Sequence, residues 1–335
     1  MQKQPKVKIL VGYHKPFALF KSKILIPIHG GRACSTEVSK DGQISACDLK
    51  WLQKNTIGDD TGDNLSKYNR YLNEMTSIYW AWKNQDRLGN PDYIGFMQYG
   101  KHLIFNPDVR IPEEKWMPQS EMYAYPLEKY VASNNLKSSH ILSLVKQYDC
   151  LCAQKYDVTK CSEARTCRER LYELGGKENG VFEVMSEAIY KQFPAYIPYL
   201  EEIKNGSIHY PLNIFVMKKE IFTQYAEFVF GVLKYILKRV DLSQSSASEK
   251  RTPAFCSEFL TSMYISYLAD NGYRVKPLKT AVIKIKKSTN RRLWYNYWKY
   301  RIFANFVWGK KRENYQDKKN EYKAKINEIE KMLKN

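Results

Sequence analysis

The 335-residue sequence lacks the signatures by which many nucleotide and metal enzymes are identified. It contains neither GxGxxG nor GxxxxGK[ST], which removes the best support for a dinucleotide-binding or P-loop reading. No apolar stretch reaches the roughly 18 residues that a membrane-spanning helix needs. Met1–Pro5 leads straight into the apolar run Val7-Lys8-Ile9-Leu10-Val11 without the hydrophobic centre of a signal peptide, so a cytoplasmic location is expected. The cysteines, at 34, 47, 150, 152, 161, 167 and 256, are odd in number and show no CxxC spacing. Neither a disulfide framework nor a zinc site is expected from them.

Acidic residues are scarce as well: 35 Asp and Glu stand against 54 Lys and Arg, for a net charge of +19. From Lys284 to Asn335 there are 16 basic and 5 acidic residues, so this segment alone carries +11. Between Lys284 and Arg312 no acidic residue occurs, while ten Lys or Arg alternate with eight aromatics: Trp294, Tyr295, Tyr297, Trp298, Tyr300, Phe303, Phe306 and Trp308. A basic amphipathic helix with Trp and Phe fits a segment lying on an anionic membrane surface. The same residues also fit single-stranded nucleic acid, or packing against the protein's own body. Residues 313–335 are mixed in charge and helix-prone, and either pair with a second chain, as in a homo-oligomer, or are solvated.

What is present describes a globular α/β chain, 44% hydrophobic and 27% charged, long enough for one large domain or two ordinary ones. The 26 tyrosines suit a surface that packs and hydrogen-bonds at once. Residues 57–106 form the unit around which the chain is organised. A polar Gly-containing loop (57–64) leads into a helical stripe of Tyr68, Leu72, Met75, Tyr79 and Trp82, with Ser66 as the expected N-cap. Breakers at Gly89-Asn90-Pro91 precede the buried strand Tyr93–Met97. Ligands of open α/β sheets bind beyond the carboxyl ends of strands, which puts Gln98, Tyr99, Gly100, Lys101 and His102 at the mouth of a site.

Other strands are expected at residues 6–13, ending at His14-Lys15-Pro16; at 23–28, ending at His29-Gly30-Gly31-Arg32; and at 148–153, 209–217 and 273–285. Helices are expected at 138–147, 162–174, 181–193, 198–204, 219–240 and 255–271. The Pro- and aromatic-rich stretch 107–138 reads either as a wall over a site or as a surface connection. Gly30-Gly31 reads as a turn, or as a close backbone approach to a ligand whose diphosphate Arg32 would meet.

Several of these blocks resemble the bacterial capsular and exopolysaccharide glycosyltransferases grouped as domain of unknown function 4422. The resemblance rests on His14-Lys15-Pro16, the block from Gly58 to Ser66 with Asn69, and Glu74-Met75-Thr76 followed by Tyr79-Trp80-Ala81-Trp82-Lys83-Asn84. It continues through Asp92–Gly95, Tyr148-Asp149, Asn213–Lys219, Arg251 and Ser257–Leu260, covering residues 6–285 in the family's order. The chain departs from it at Gln98–His102, where the family has His-Tyr-Arg-Arg-Tyr, and at Cys161–Glu173, where the family has a His-rich helix. The tail beyond Lys286 lies outside it.

The resemblance implies a GT-A-like, Rossmann-like mixed sheet flanked by helices over residues 1–286, followed by the basic amphipathic helical tail of 287–335. It implies a peripheral membrane hexosyltransferase on the inner face of the membrane, working in capsular polysaccharide or exopolysaccharide biosynthesis. Its donor would be a UDP-hexose or another nucleotide sugar, galactofuranose among the possible sugars, and its acceptor a lipid-linked glycan. Donor-binding roles follow for His14, Lys15, Asp59, Asp60, Asp63, Asn64, Gln98, Tyr99, Lys101, His102 and Asn213. Catalytic or sugar-binding roles follow for Glu74, Asp149 and Glu258. Asp59, Asp60 and Asp63 would hold ribose or a divalent cation, Mg²⁺ or Mn²⁺, although no DxD ends the strand at Phe96-Met97, so metal dependence stays open. The rival is a non-catalytic membrane- or nucleic-acid-binding protein on a degenerate transferase fold, motivated by the altered 98–102 block and the basic tail. A phosphotransferase acting on surface glycans has no motif to support it.

Overall fold

The structure, a computed structural model, describes residues 4–39, 42–106, 136–283 and 288–334. The stretch 107–135, which holds most of the Pro- and aromatic-rich segment, lies outside the described residues. The strands are β1 (Val7–Tyr13), β2 (Leu25–His29), β3 (Ile57–Gly58), β4 (Tyr93–Gln98), β5 (Lys101–Leu103), β6 (Cys150–Ala153), β7 (Tyr156–Asp157), β8 (Ile208–His209), β9 (Phe215–Lys218), β10 (Val275–Leu278) and β11 (Thr280–Val282). The main sheet runs β10-β6-β9-β4-β1-β2-β3, with β5 and β11 paired off its side; β7 and β8 form a separate ribbon. Neighbours β1 with β2, β1 with β4, β2 with β3 and β10 with β6 are parallel, whereas β9 is antiparallel to both β4 and β6.

The central strands are near-continuous apolar runs because both faces of the sheet are covered. Leu10, Ile28, Ile94, Phe96, Phe215 and Met217 pack beneath helices Met75–Lys83, Val181–Gln192, Lys219–Arg239 and Thr252–Asp270. Ile9, Val11, Met97, Leu151 and Val216 face the other way, toward Leu52 of helix Ala46–Asn55 and Ile141 and Val145 of helix Ser138–Val145. Gly95 lets β9 come close: a Cβ there would lie 2.7 Å from the Phe215 carbonyl oxygen.

Three expected elements turn out to be divided, and two of the divisions shape the site. The helix expected from Ser66 is a 3₁₀ turn (Ser66–Tyr68), a short helix (Asn69–Leu72) and a second helix (Met75–Lys83), separated at Asn73, whose φ is 45°. Ser66 is not an N-cap; its buried hydroxyl donates to Asp59 Oδ1 at 2.5 Å. The strand expected over 209–217 splits into β8 and β9 around Tyr210-Pro211-Leu212-Asn213, with Leu212 at φ 68°. The strand expected over 273–285 splits into β10 and β11.

The tail forms an antiparallel hairpin of helices Ser288–Phe306 and Lys310–Lys334, turning at Gly309 (φ 65°). Leu293 and Ile326 are buried between the two helices, and Tyr300 stacks on Tyr322 with centroids 5.6 Å apart. Trp298, Ile302, Phe303, Phe306 and Trp308 remain exposed, Trp308 by 88%. Among the described residues no helix is long and apolar enough to cross a membrane.

Candidate active site

The carboxyl ends of parallel strands β1, β2 and β4 open into a cleft of about 1710 Å³. His14 and Lys15 follow β1, His29 to Gly31 close β2, and Gln98 to Lys101 form the tight turn from β4 into β5; all of them line the cleft. Tyr99 anchors an aromatic wall there. Its ring lies 5.4 Å from Tyr13, 5.0 Å from Phe17 and 5.3 Å from His14, and its hydroxyl is 3.4 Å from His14 Nε2.

Two carboxylates line the cleft near enough for the charge of one to act on the other. Glu74 sits just past the break at Asn73, and Glu258 lies in the second turn of helix Thr252–Asp270. Both are held from behind by the segment that interrupts β8 and β9. Asn213 Nδ2 donates to Glu74 Oε1 at 2.9 Å, and the Leu212 N–H donates to Glu258 Oε2 at 3.1 Å. Burial pushes the Glu258 carboxyl up from its ordinary pKa, and the nearby Glu74 charge adds to this; Lys101, the Leu212 N–H and Arg251 pull it partly back. Arg251 also donates to Asn73 Oδ1 at 3.2 Å, which ties the helix break to the start of the Glu258 helix. A half-buried carboxylate of raised basicity in the cleft lining is chemistry suited to proton abstraction.

His14, Lys15, Gln98, Tyr99, Lys101, Glu74 and Glu258 thus share one cleft, as their expected roles require. The other expected residues lie elsewhere. Asp149 stands at the amino end of β6, on the opposite edge of the sheet, in ion pairs with Lys218 (2.6 Å) and Arg274 (3.1 Å). Burial alone would raise its pKa, but those hydrogen bonds outweigh burial and hold the carboxyl well below the usual carboxylate range. It is the centre of an ion-pair cluster and does not line the cleft, so the structure does not bring it to Glu74 and Glu258 as the expected role requires. His102 is fully buried, its ring edge-on to Phe20 at 4.6 Å; burial depresses its pKa to about 3, so it is no substitute for a phosphate-binding arginine.

The Asp59 to Asn64 loop is committed to the fold. Asp59 is fully buried and accepts from the Gly31 and Arg32 N–H groups and from the hydroxyls of Ser66 and Thr76, which occupies both of its oxygens. Asp63 accepts from the Tyr79 hydroxyl at 3.1 Å, and Asn64 closes a turn onto the Ser66 N–H. Asp60 is exposed but, like Asp63 and Asn64, does not line the cleft. This donor set does not fit the expected cation or ribose site, because the carboxylate nearest the cleft is already saturated. Among the described residues, no three His, Cys, Asp or Glu side chains are grouped to hold a metal. Asn213 is also fully buried and acts on the cleft through Glu74 instead of reaching a ligand itself.

His29, Ser77 and Asn73 also line the cleft, and little in the sequence points to them. The signals were faint: His29 directly precedes the noticed Gly30-Gly31, and Ser77 falls one helical turn after Glu74. Asn73 carries no signal in the sequence; its positive φ of 45° is set by the fold.

The family model described as Domain of unknown function (DUF4422) matches residues 8–270. No curated protein matches the chain. Among solved structures, the apo structure of the WbbM bifunctional glycosyltransferase is similar over 83% of this chain, with a TM-score of 0.69 and 28% sequence identity. The chain spans 45% of that protein's length. The mixed sheet flanked by helices is of the GT-A-like class.

Proposed function

The chain belongs to the family Domain of unknown function (DUF4422), and on that premise we propose that it is a glycosyltransferase. In this reading it moves a hexose, galactofuranose among the candidates, from a UDP-linked or other nucleotide sugar to a lipid-linked or growing capsular or surface polysaccharide. The observation that carries the proposal is the Glu74 and Glu258 pair beside Lys101 and Arg251 on the floor of the cleft. The similarity to the WbbM bifunctional glycosyltransferase supports the same class of activity.

Glycosyl transfer forms a bond from the acceptor oxygen to the anomeric carbon and breaks the bond from that carbon to the diphosphate oxygen. In an inverting transfer Glu258 takes the acceptor's hydroxyl proton, for which its raised pKa suits it. Glu74, fixed by Asn213, orients a sugar hydroxyl. The diphosphate leaves with the bond's electron pair, and Lys15, Lys67, Lys101, Lys250 and Arg251 on the cleft walls offset its charge. The Tyr99 cluster offers an apolar face to the base. The exposed Trp and Phe side chains of the basic hairpin would hold the enzyme on the inner face of the membrane, beside a lipid-linked acceptor.

The test is thermal stability against a panel of nucleotides and nucleotide sugars, with and without Mn²⁺. A ligand that binds only the native state raises its stability by about 2.7 kcal/mol at a hundred times its Kd. A rise with UDP or a UDP-hexose is expected, and no rise with any nucleotide sugar at millimolar concentration would overturn the proposal.

A further inference from the structure

His29 and Ser77 line the cleft and are only 2% and 1% exposed. Yet the imidazole Nδ1 and the serine Oγ find no hydrogen-bond partner among the described residues. Buried polar atoms are nearly always paired, so two orphans bordering one cleft call for a physical reason. Thr76, the adjacent residue, donates to Asp59 at 2.6 Å. Ser77 turns instead toward the backbone of Gly30, where a Cβ would come within 3.0 Å of its Oγ. With no side chain at Gly30, that hydroxyl packs against bare backbone at the cleft wall. His29 is the residue before Gly30, in register with Tyr13 of β1.

The chemistry of the pair is that of uncharged groups. Burial, then the charges of Arg32 and His14, depress the His29 pKa to about 4, so its ring is neutral at physiological pH. A neutral ring nitrogen and a hydroxyl together donate and accept, which matches an alcohol better than a phosphate. Lys15 and Arg251, charged groups suited to phosphate, line the same cleft. Ser77 lies one turn past Glu74 on the same helix, so the orphans adjoin the region where a sugar would react.

We infer that His29 and Ser77, with Gly30 between them, form a subsite that recognises a sugar-ring hydroxyl of the donor, a reading that rests on the proposed glycosyltransferase function. The hydroxyl belongs to the ribose of the nucleotide or to the transferred hexose. The experiment measures the Kd of UDP, 2′-deoxy-UDP and UDP-galactose by calorimetry for the full-length protein and for Ser77→Ala and Gly30→Ala, together with the melting temperature of each unliganded protein.

Ser77→Ala removes an unpaired hydroxyl, so its unliganded melting temperature should equal or exceed that of the wild type, while its Kd weakens by about 3- to 10-fold. Gly30→Ala, whose methyl would cover Ser77 Oγ, should weaken binding at least as much. A loss with UDP that vanishes for 2′-deoxy-UDP assigns the hydroxyl to ribose. A loss confined to UDP-galactose assigns it to the hexose. Lowered stability of Ser77→Ala with unchanged affinity for all three ligands would give the hydroxyl a purely structural role and overturn the inference. If wild-type protein binds none of the three, it is the uridine donor of the proposed function that fails, and the same variants are then measured against the nucleotide sugar that raises wild-type stability; if none does, the glycosyltransferase reading fails.

Discussion

Replacing Asn213 tests whether the cleft floor is held from behind. The side chain is fully buried and makes three hydrogen bonds: Nδ2 donates to Glu74 Oε1 and to Ser257 Oγ, both at 2.9 Å, and Oδ1 accepts from Thr261 Oγ1 at 2.7 Å. In Asn213→Ala, Thr261 keeps its bond to the Tyr225 hydroxyl and Ser257 keeps its bond to the Ala254 carbonyl. Glu74 loses the donor that fixes it. One group left unsatisfied, together with a small cavity, costs about 2–4 kcal/mol. At about 2 °C per kcal/mol for a chain of this size, the melting temperature should fall by roughly 4–8 °C.

Asn213→Asp keeps the volume but sets a second carboxylate beside Glu74. Like-charge repulsion raises the folded-state pKa of the new Asp above its unfolded value. Its stability relative to wild type is then best at low pH and declines as pH rises through that folded pKa. Scanning calorimetry of both variants between pH 5 and pH 8 reads the two effects. Wild-type melting of Asn213→Ala, or an Asn213→Asp deficit that does not grow with pH, would refute the account.

Glu258→Gln should lower kcat by about 10²- to 10⁴-fold without lowering the melting temperature, and wild-type kcat/KM should rise with pH through a pKa above the ordinary glutamate value; unchanged turnover would remove Glu258 as the base. Asp149→Asn should cost about 1–2 kcal/mol at neutral pH, held down by the exposure of Lys218 and Arg274, and should leave turnover intact. Because the folded-state pKa of Asp149 is depressed, that stability is present above its unfolded pKa and is lost as pH falls through the folded one, so acid melting curves of variant and wild type should converge. Phe306→Ser with Trp308→Ser should reduce sedimentation with phosphatidylserine vesicles more than tenfold while donor affinity stays the same. Retained vesicle binding would move membrane attachment away from the hairpin.

The parallel strands β1, β2 and β4 were legible because apolar runs between breakers leave little choice, and the rule that ligands bind past their carboxyl ends pointed to Lys15, Tyr99 and Lys101, which line the cleft. Glu74 and Glu258 came from the family resemblance, and the structure brings them together across 184 positions of sequence. The expected residues that do not line the cleft share a cause. Asp59 and Asp149 are acids placed next to turns, and sequence cannot tell a carboxylate free for a ligand from one saturated by hydroxyls or neutralised by Arg274. The periodicity through Tyr68 to Trp82 concealed the break at Asn73, because the break is fixed by tertiary partners: Asn69 Nδ2 donates to the Asn73 carbonyl, and Arg251 reaches its side chain from far along the chain.

The strand order also has a consequence during synthesis. β1, β2, β3 and β4 all come from the first hundred residues, whereas β9, the partner on the outer edge of β4, follows much later. At ribosomal rates of about 5–20 residues per second, the apolar edge Tyr93–Gln98 waits on the order of ten seconds for Phe215–Lys218 to emerge. An unpaired hydrophobic strand edge is a template for the wrong partner. The nascent chain therefore passes through a window in which shielding of β4 would protect the yield of native protein, and slower translation after that strand would lengthen the hazard.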